Sequence, residues 1–157
     1  MAEYSANALQ VVNPGEAVVF TTTVQPCNRG LIRHREGSGN FLLNGWVPNQ
    51  NRRRCCCNRT RQAQYLVDFG ANISVPTGGT VEEISLAFSL DGSTLPDTTM
   101  TVTPAAVDEA FNVSRATNVG VWTGCCESLT VRNISDQAIQ VENANIVITR
   151  PDLVLSY

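Results

Sequence analysis

The sequence contains no lysine, a single histidine and few charged residues of any kind. All eleven basic residues are Arg, and charged residues make up 16% of the chain, against about 25% for an average soluble protein. The surface must therefore be covered mainly by Asn, Thr, Ser and Gln. A weakly charged, polar surface of this kind is typical of extracellular or particle-bound β-domains.

The scarcity of histidine restricts the catalytic arrangements that the chain can form. His34 is the only histidine, so a Ser-His-Asp or Cys-His arrangement would have to use it. Its Ile-Arg-His-Arg context favours a surface or ion-paired role. The acidic pairs Glu82-Glu83 and Asp108-Glu109 are adjacent in sequence, and neighbours on a strand point to opposite faces, which does not suit an acid–base pair. We therefore expect no enzyme activity, no catalytic residue and no cofactor.

Long hydrophobic and long helical patterns are both missing. No stretch approaches the 18 or so apolar residues that mark a membrane span, and we expect no membrane partner. Residues 1–10 contain neither a basic n-region nor an apolar core, so we expect no secretory signal there. Residues 104–111 form the only helix-like patch. The absence of longer amphipathic helical patterns excludes α/β architectures.

Strand patterns separated by turn signals make up most of the chain. The clearest is ISLAFSL, in which apolar residues alternate with small ones, the period of a strand with one buried face. Asp91-Gly92 follows at once and favours the positive φ angles of a tight hairpin turn. The chain then returns through a second alternating stretch around Met100. Asn44-Gly45 is another dipeptide that predicts a tight turn.

The spacing of these units predicts the fold class. About eight or more short strands, with turn signals roughly every 8–12 residues, indicate an all-β, antiparallel β-sandwich of the jelly-roll type. The length of 157 residues suits one domain. We expect an N-terminal arm over residues 1–10, a single jelly-roll domain over 11–150 and a C-terminal tail over 151–157.

Residues 46–62 interrupt the strands with an Arg- and Cys-rich segment, WVPNQNRRRCCCNRTRQ. A loop of this length is uncommon unless it is functional or disordered. Its Arg residues could contact phosphate or an acidic protein surface. Nucleic-acid binding would also need aromatic or base-reading side chains, and Trp46 is the only such residue near these Arg residues. The negative net charge of the domain disfavours nucleic acid as well. We expect an acidic partner in an assembly, contacted by Arg52, Arg53, Arg54, Arg59 and Arg61.

The six cysteines occur as one single residue and two clusters. Adjacent cysteines on an extended chain point in opposite directions, so one cluster could bond both within its subunit and to a neighbour. Zinc sites usually need two to four residues between cysteines, and we assign no metal ligand, although one thiolate from each subunit of a trimer stays open. Free thiols also stay open, since no signal indicates an oxidising compartment. The candidate disulfide or inter-subunit thiol sites are Cys27, Cys55, Cys56, Cys57, Cys125 and Cys126.

The order of the strand segments resembles that of a known superfamily. YLVDFGANISV, ISLAFSLDGSTLP, FNVSRATNVGV and IQVENANIVITR follow one another as in the globular jelly roll of the tumour-necrosis-factor and complement-head proteins. The chain is similar to bacterial and phage members, such as the C-terminal domains of spore-surface collagen-like glycoproteins and phage virion proteins. The likeness covers residues 60–150. Because members of this superfamily are usually trimers, the resemblance implies a homotrimer.

These features and the resemblance favour a structural phage virion protein, assembled in the host cytoplasm. It would be a trimeric capsid decoration, head-fibre or related component that binds neighbouring capsid subunits. One alternative is a spore-surface or appendage subunit that is cross-linked by disulfides on the bacterial surface. Another is a carbohydrate- or receptor-binding head with Trp46 on a loop, whereas Trp122 lies on a predicted strand and is expected in the core. The expected partners are copies of the chain and other virion or surface-layer proteins, with a glycan in the last alternative.

Overall fold

Within the part of the chain that the structure describes, the fold is a sandwich of two six-stranded antiparallel sheets. The computed structural model describes residues 1–27, 29–47, 62–124 and 126–151. In chain order the strands are β1 (Ala2–Ala6), β2 (Gln10–Val12), β3 (Thr22–Gln25), β4 (Ile32–His34), β5 (Phe41–Leu43), β6 (Gln62–Ser74), β7 (Ile84–Leu90), β8 (Ser93–Thr94), β9 (Met100–Val102), β10 (Phe111–Trp122), β11 (Glu127–Asn133) and β12 (Ile139–Thr149).

The two sheets enclose one hydrophobic core. The first sheet has the order β10–β6–β12–β1–β3, and β2 pairs with the other end of β12. The second has the order β4–β5–β11–β7–β8, and β9 also pairs with β7. The predicted all-β antiparallel sandwich is therefore confirmed. Within the described residues there is no helix that is long and apolar enough to cross a membrane.

The hairpin predicted after ISLAFSL is present. Asp91 and Gly92 have φ angles of 47° and 83°, as a tight turn between twisted strands requires. The return strand is interrupted by a 3₁₀ turn at Pro96–Thr98 before β9 resumes pairing with β7. The Thr98 hydroxyl accepts a hydrogen bond from the Phe88 amide at 2.9 Å. This side chain satisfies the β7 backbone where no strand lies opposite it.

The prediction of a polar arm over residues 1–10 is wrong, because β1 lies within this segment and belongs to the first sheet. This strand is hydrogen-bonded on both sides, with Tyr4 opposite Ile146 of β12 and Thr23 of β3. Ala2, Tyr4 and Ala6 are buried in the core. Two of its three inward positions are Ala, so the alternation in AEYSA is weak in hydrophobicity and is visible only once the sheet is formed.

Residues 104–111 are not helical, contrary to the helix-like pattern. Residues 104–110 form a loop that leads into β10, which begins at Phe111. Asp108 has a φ of 58°, which a right-handed helix does not allow, and its amide donates to the Val75 carbonyl at 2.8 Å. The Glu109 carboxylate accepts from the Ala105 and Ala106 amides at 2.8 and 3.2 Å. These contacts hold the loop without a helical hydrogen-bond ladder.

Candidate functional site

One end of the sandwich carries both tryptophans on its surface. Trp46 follows β5 and is 53% exposed, and Trp122 ends β10 and is 50% exposed. The expectation that Trp122 lies in the core is wrong. Val119 and Val121 of β10 face the core, so the alternation of the strand turns the next residue outward.

Gly45 brings the backbones of the two tryptophan segments together. A Cβ atom at Gly45 would lie 1.9 Å from the Trp122 carbonyl oxygen, a distance that no side chain allows. Gly45 is not among the residues with a positive φ. The prediction of a tight turn at Asn44-Gly45 is therefore wrong, because this glycine permits a close approach of two chain segments.

Two hydrogen bonds fix the backbone of Trp46. Its amide donates to the Asn44 side-chain oxygen at 2.8 Å, and its carbonyl accepts from Arg150 Nη2 at 2.7 Å. The guanidinium of Arg150 lies 5.0 Å from the centre of the Tyr65 ring. The Tyr65 hydroxyl shares its one proton between the Asn44 carbonyl at 2.7 Å and the Leu31 carbonyl at 3.1 Å. Burial raises the pKa of Tyr65, so this hydroxyl stays protonated and can donate at neutral pH.

Two of the predicted cysteine sites lie in the described residues. Cys27 is a half-buried thiol that packs against the core. Burial raises its pKa, but backbone amides of Arg29, Ile32 and Leu31 hydrogen-bond to the sulfur and lower it, and the net direction is downward. Cys126 is half-buried in the segment between β10 and β11. Cys55, Cys56, Cys57 and Cys125 lie outside the described residues, so the disulfide and inter-subunit pairings stay predictions.

The predicted Arg cluster also lies outside the described residues, at Arg52, Arg53, Arg54, Arg59 and Arg61. Its contact with an acidic partner therefore stays a prediction. Thirteen of the fourteen acidic residues but only six of the eleven Arg belong to the described residues. The described body is therefore acidic, and residues 48–61 hold the other five Arg and no acidic residue.

His34 links the two sheets instead of occupying the predicted surface or ion-paired position. Its Nδ1 lies 3.1 Å from the Asn40 carbonyl oxygen and its Nε2 lies 3.2 Å from that of Phe20. The ring stacks on Phe41 with centroids 4.4 Å apart and meets Tyr4 edge-on at 4.8 Å. Both ring nitrogens thus lie within hydrogen-bonding distance of backbone carbonyls. In the described residues no cluster of three or more His, Cys, Asp or Glu could hold a metal ion.

Comparisons with known proteins show the fold. No family model matches the chain, and no curated protein matches it. Among solved structures, it is similar to the globular domain of the zebrafish complement 1qA protein, with a TM-score of 0.58, 10% identity and coverage of 93% of this chain and 94% of that one. It is also similar to the Eiger TNF from S. frugiperda, with a TM-score of 0.63, 11% identity and coverage of 95% and 90%. The chain therefore has the jelly-roll fold of complement C1q and TNF domains.

Proposed function

We propose that the chain is a homotrimeric structural head of a phage virion, acting as a capsid decoration, a head fibre or a related component that binds neighbouring capsid subunits. The observation that carries this proposal is the C1q- and TNF-like arrangement of both sheets over more than 90% of the chain. Domains with this arrangement generally form homotrimers. A trimeric β-sandwich suits an assembly role.

The solvent face of the first sheet supports self-association. Paired residues across this face are small or uncharged in most rows, so a neighbouring sheet can approach closely. The rows are Thr149, Leu66 and Asn118; Val147, Asp68 and Ala116; and Asn145, Gly70 and Ser114. Leu66, on this face, leaves 40% of its surface exposed. Assembly would cover this apolar side chain.

A matched pair of arginine substitutions tests this face. Ser114→Arg places a long cation on the exposed face of β10, where a partner sheet could not approach closely without removing the cation from water. Ser93→Arg is the control, because Ser93 is also exposed but lies beside the tight turn of the second sheet. We expect Ser114→Arg to give monomers in size-exclusion chromatography while Ser93→Arg keeps the native mass. Equal behaviour of the two variants would contradict the assignment of this face.

Disulfide cross-linking distinguishes the spore-surface or appendage alternative. That function requires covalent contacts between subunits through the cysteine clusters. Electrophoresis under non-reducing and reducing conditions separates the two: a ladder of covalent species that disappears with reductant would favour the cross-linked appendage. A single species in both would favour the packed virion trimer.

The exposed tryptophan pair favours a second candidate function, a carbohydrate- or receptor-binding head. Trp46 and Trp122 are half-exposed on two segments that adjoin at Gly45. A rigid exposed aromatic offers large contact area at low entropic cost. A glycan array probed with the native chain and with Trp46→Ala/Trp122→Ala tests it. Hits that disappear in the double variant support a glycan-binding head, and the absence of hits with the native chain would contradict it.

A further inference from the structure

A shallow hollow lies on the outer face of the second sheet, away from the tryptophans. It has a volume of about 410 Å³, within the range of small-molecule sites. Strands β4 and β5 and the turn between them form its walls. Its side chains are Arg33, Arg35, Ser38, Asn40 and Leu42, with His34 beneath them.

Two arginines line this hollow. Ile32 faces the core, so Arg33 lies on the outer face of β4, opposite Leu42 in the strand register, and Arg35 is the first residue after β4 ends. Two residues of extended chain span at most about 7 Å, so the two backbones lie within that distance. Both side chains are exposed, and within the described residues neither forms an ion pair or a hydrogen bond. The body around them is acidic, so this pair is a local concentration of positive charge.

The turn that completes the hollow is held by several hydrogen bonds. The amide and hydroxyl of Ser38 both donate to the Arg35 carbonyl, at 3.1 and 2.7 Å. The Ser128 hydroxyl donates to the Asn40 side-chain oxygen, which leaves the Asn40 amino group available as a donor. At Gly39, a Cβ atom would lie 2.5 Å from the Val18 carbonyl oxygen, so the turn packs tightly on the preceding segment. The polar groups are therefore positioned before any ligand binds.

We propose that this hollow binds an acidic saccharide, with a carboxylate or sulfate group held by Arg33 and Arg35. Guanidinium groups form paired, charge-assisted hydrogen bonds with such oxyanions. The amino group of Asn40 and the hydroxyl of Ser38 suit ring hydroxyls, and the half-buried Leu42 suits the apolar face of a sugar ring. This combination of two cations, two neutral polar groups and one apolar floor matches a saccharide that carries both hydroxyls and an acidic group.

Nucleic acid fits the hollow less well. The ring of His34 is already stacked on Phe41 and in contact with Tyr4, so a base has no aromatic stacking partner in the lining. The acidic body also opposes a densely charged backbone beyond the two arginines. The proposal does not depend on trimer formation, and it uses residues other than the tryptophan pair.

Fluorescence anisotropy with labelled oligosaccharides tests the proposal. The probes are a sulfated heparin-derived tetrasaccharide, neutral maltotetraose and a hexaglutamate peptide, each titrated with the full chain. Arg33→Gln/Arg35→Gln is the test variant. Arg29→Gln/Arg115→Gln is the control, because it removes the same charge from exposed positions that do not line the hollow. Circular dichroism melting of each variant checks that the fold is retained.

We expect the native chain to bind the sulfated tetrasaccharide in preference to both other probes. The test variant should lose about tenfold or more in affinity, since two charge-assisted contacts are removed, and the control variant should stay within about threefold. Equal losses in both variants would show that only net charge matters and would overturn the site. If hexaglutamate binds as tightly as the sulfated tetrasaccharide or more tightly, the hollow is an acidic-peptide site and the proposal is wrong. If maltotetraose binds as tightly as the sulfated tetrasaccharide, charge has no role in recognition and the proposal is also wrong. The absence of binding by the sulfated tetrasaccharide would reject the proposal.

Discussion

The hydroxyl of Tyr65 should contribute measurably to stability through its contacts at the tryptophan end of the sandwich. It shares its one proton between two backbone carbonyls, those of Asn44 and Leu31, from a fully buried ring. Tyr65→Phe keeps the ring but removes this donor, and only the Leu31 carbonyl keeps another one, the Asn44 amide. The loss of a buried hydrogen-bond partner costs about 1–3 kcal/mol. For a domain of this size that corresponds to a decrease in Tm of about 2–12 °C.

Tyr4→Phe provides the matched control for this prediction. Tyr4 is also a buried tyrosine in the core, but its hydroxyl forms no hydrogen bond to another described residue. Its removal should change the free energy of unfolding by less than about 0.5 kcal/mol. Both variants are measured by urea unfolding with far-UV circular dichroism at one protein concentration. Similar losses in the two variants, or no loss for Tyr65→Phe, would refute the role assigned to the hydroxyl.

Two further predictions concern glycine packing and thiol chemistry. Gly45→Ala should destabilise the fold by about 1–3 kcal/mol or more, because the added Cβ would overlap the Trp122 carbonyl. Thermal melting measures this loss, and an unchanged Tm would contradict the close approach of the two segments. The lowered pKa of Cys27 means that the folded state favours the thiolate, so its contribution to stability is present above the unfolded pKa and is lost as the pH falls through the folded value. Iodoacetamide labelling followed by peptide mass spectrometry should give a lower midpoint pH for Cys27 in the native chain than in urea, and the reverse order would contradict the amide contacts to its sulfur.

Local patterns predict the fold where strand alternation and turn chemistry agree. ISLAFSL alternates clearly, and Asp91-Gly92 supplies the backbone angles of the hairpin turn, so this unit is visible in the sequence. Strand β1 is not visible in the sequence, because alanine at two inward positions gives little contrast in hydrophobicity with its polar neighbours. Gly45 is misinterpreted as part of a turn because the close approach of the Trp122 backbone, more than 70 residues away, leaves no local signal.

The candidate sites could be predicted only in part. Trp46 is identified from the sequence as exposed on a loop, whereas the orientation of Trp122 depends on which face of β10 meets the core. The hollow at Arg33 and Arg35 is missed, since it needs the pairing of β4 with β5 and the position of Asn40. The alternation of Arg33, His34 and Arg35 is the only sequence signal for it.

Light scattering of the purified chain, with and without reductant, tests the central claim most directly. A homotrimer of the 17.0 kDa chain should have a mass of about 51 kDa in both conditions at micromolar concentration. That result would support the packed trimeric head. A mass of one chain in both conditions would contradict the proposed assembly.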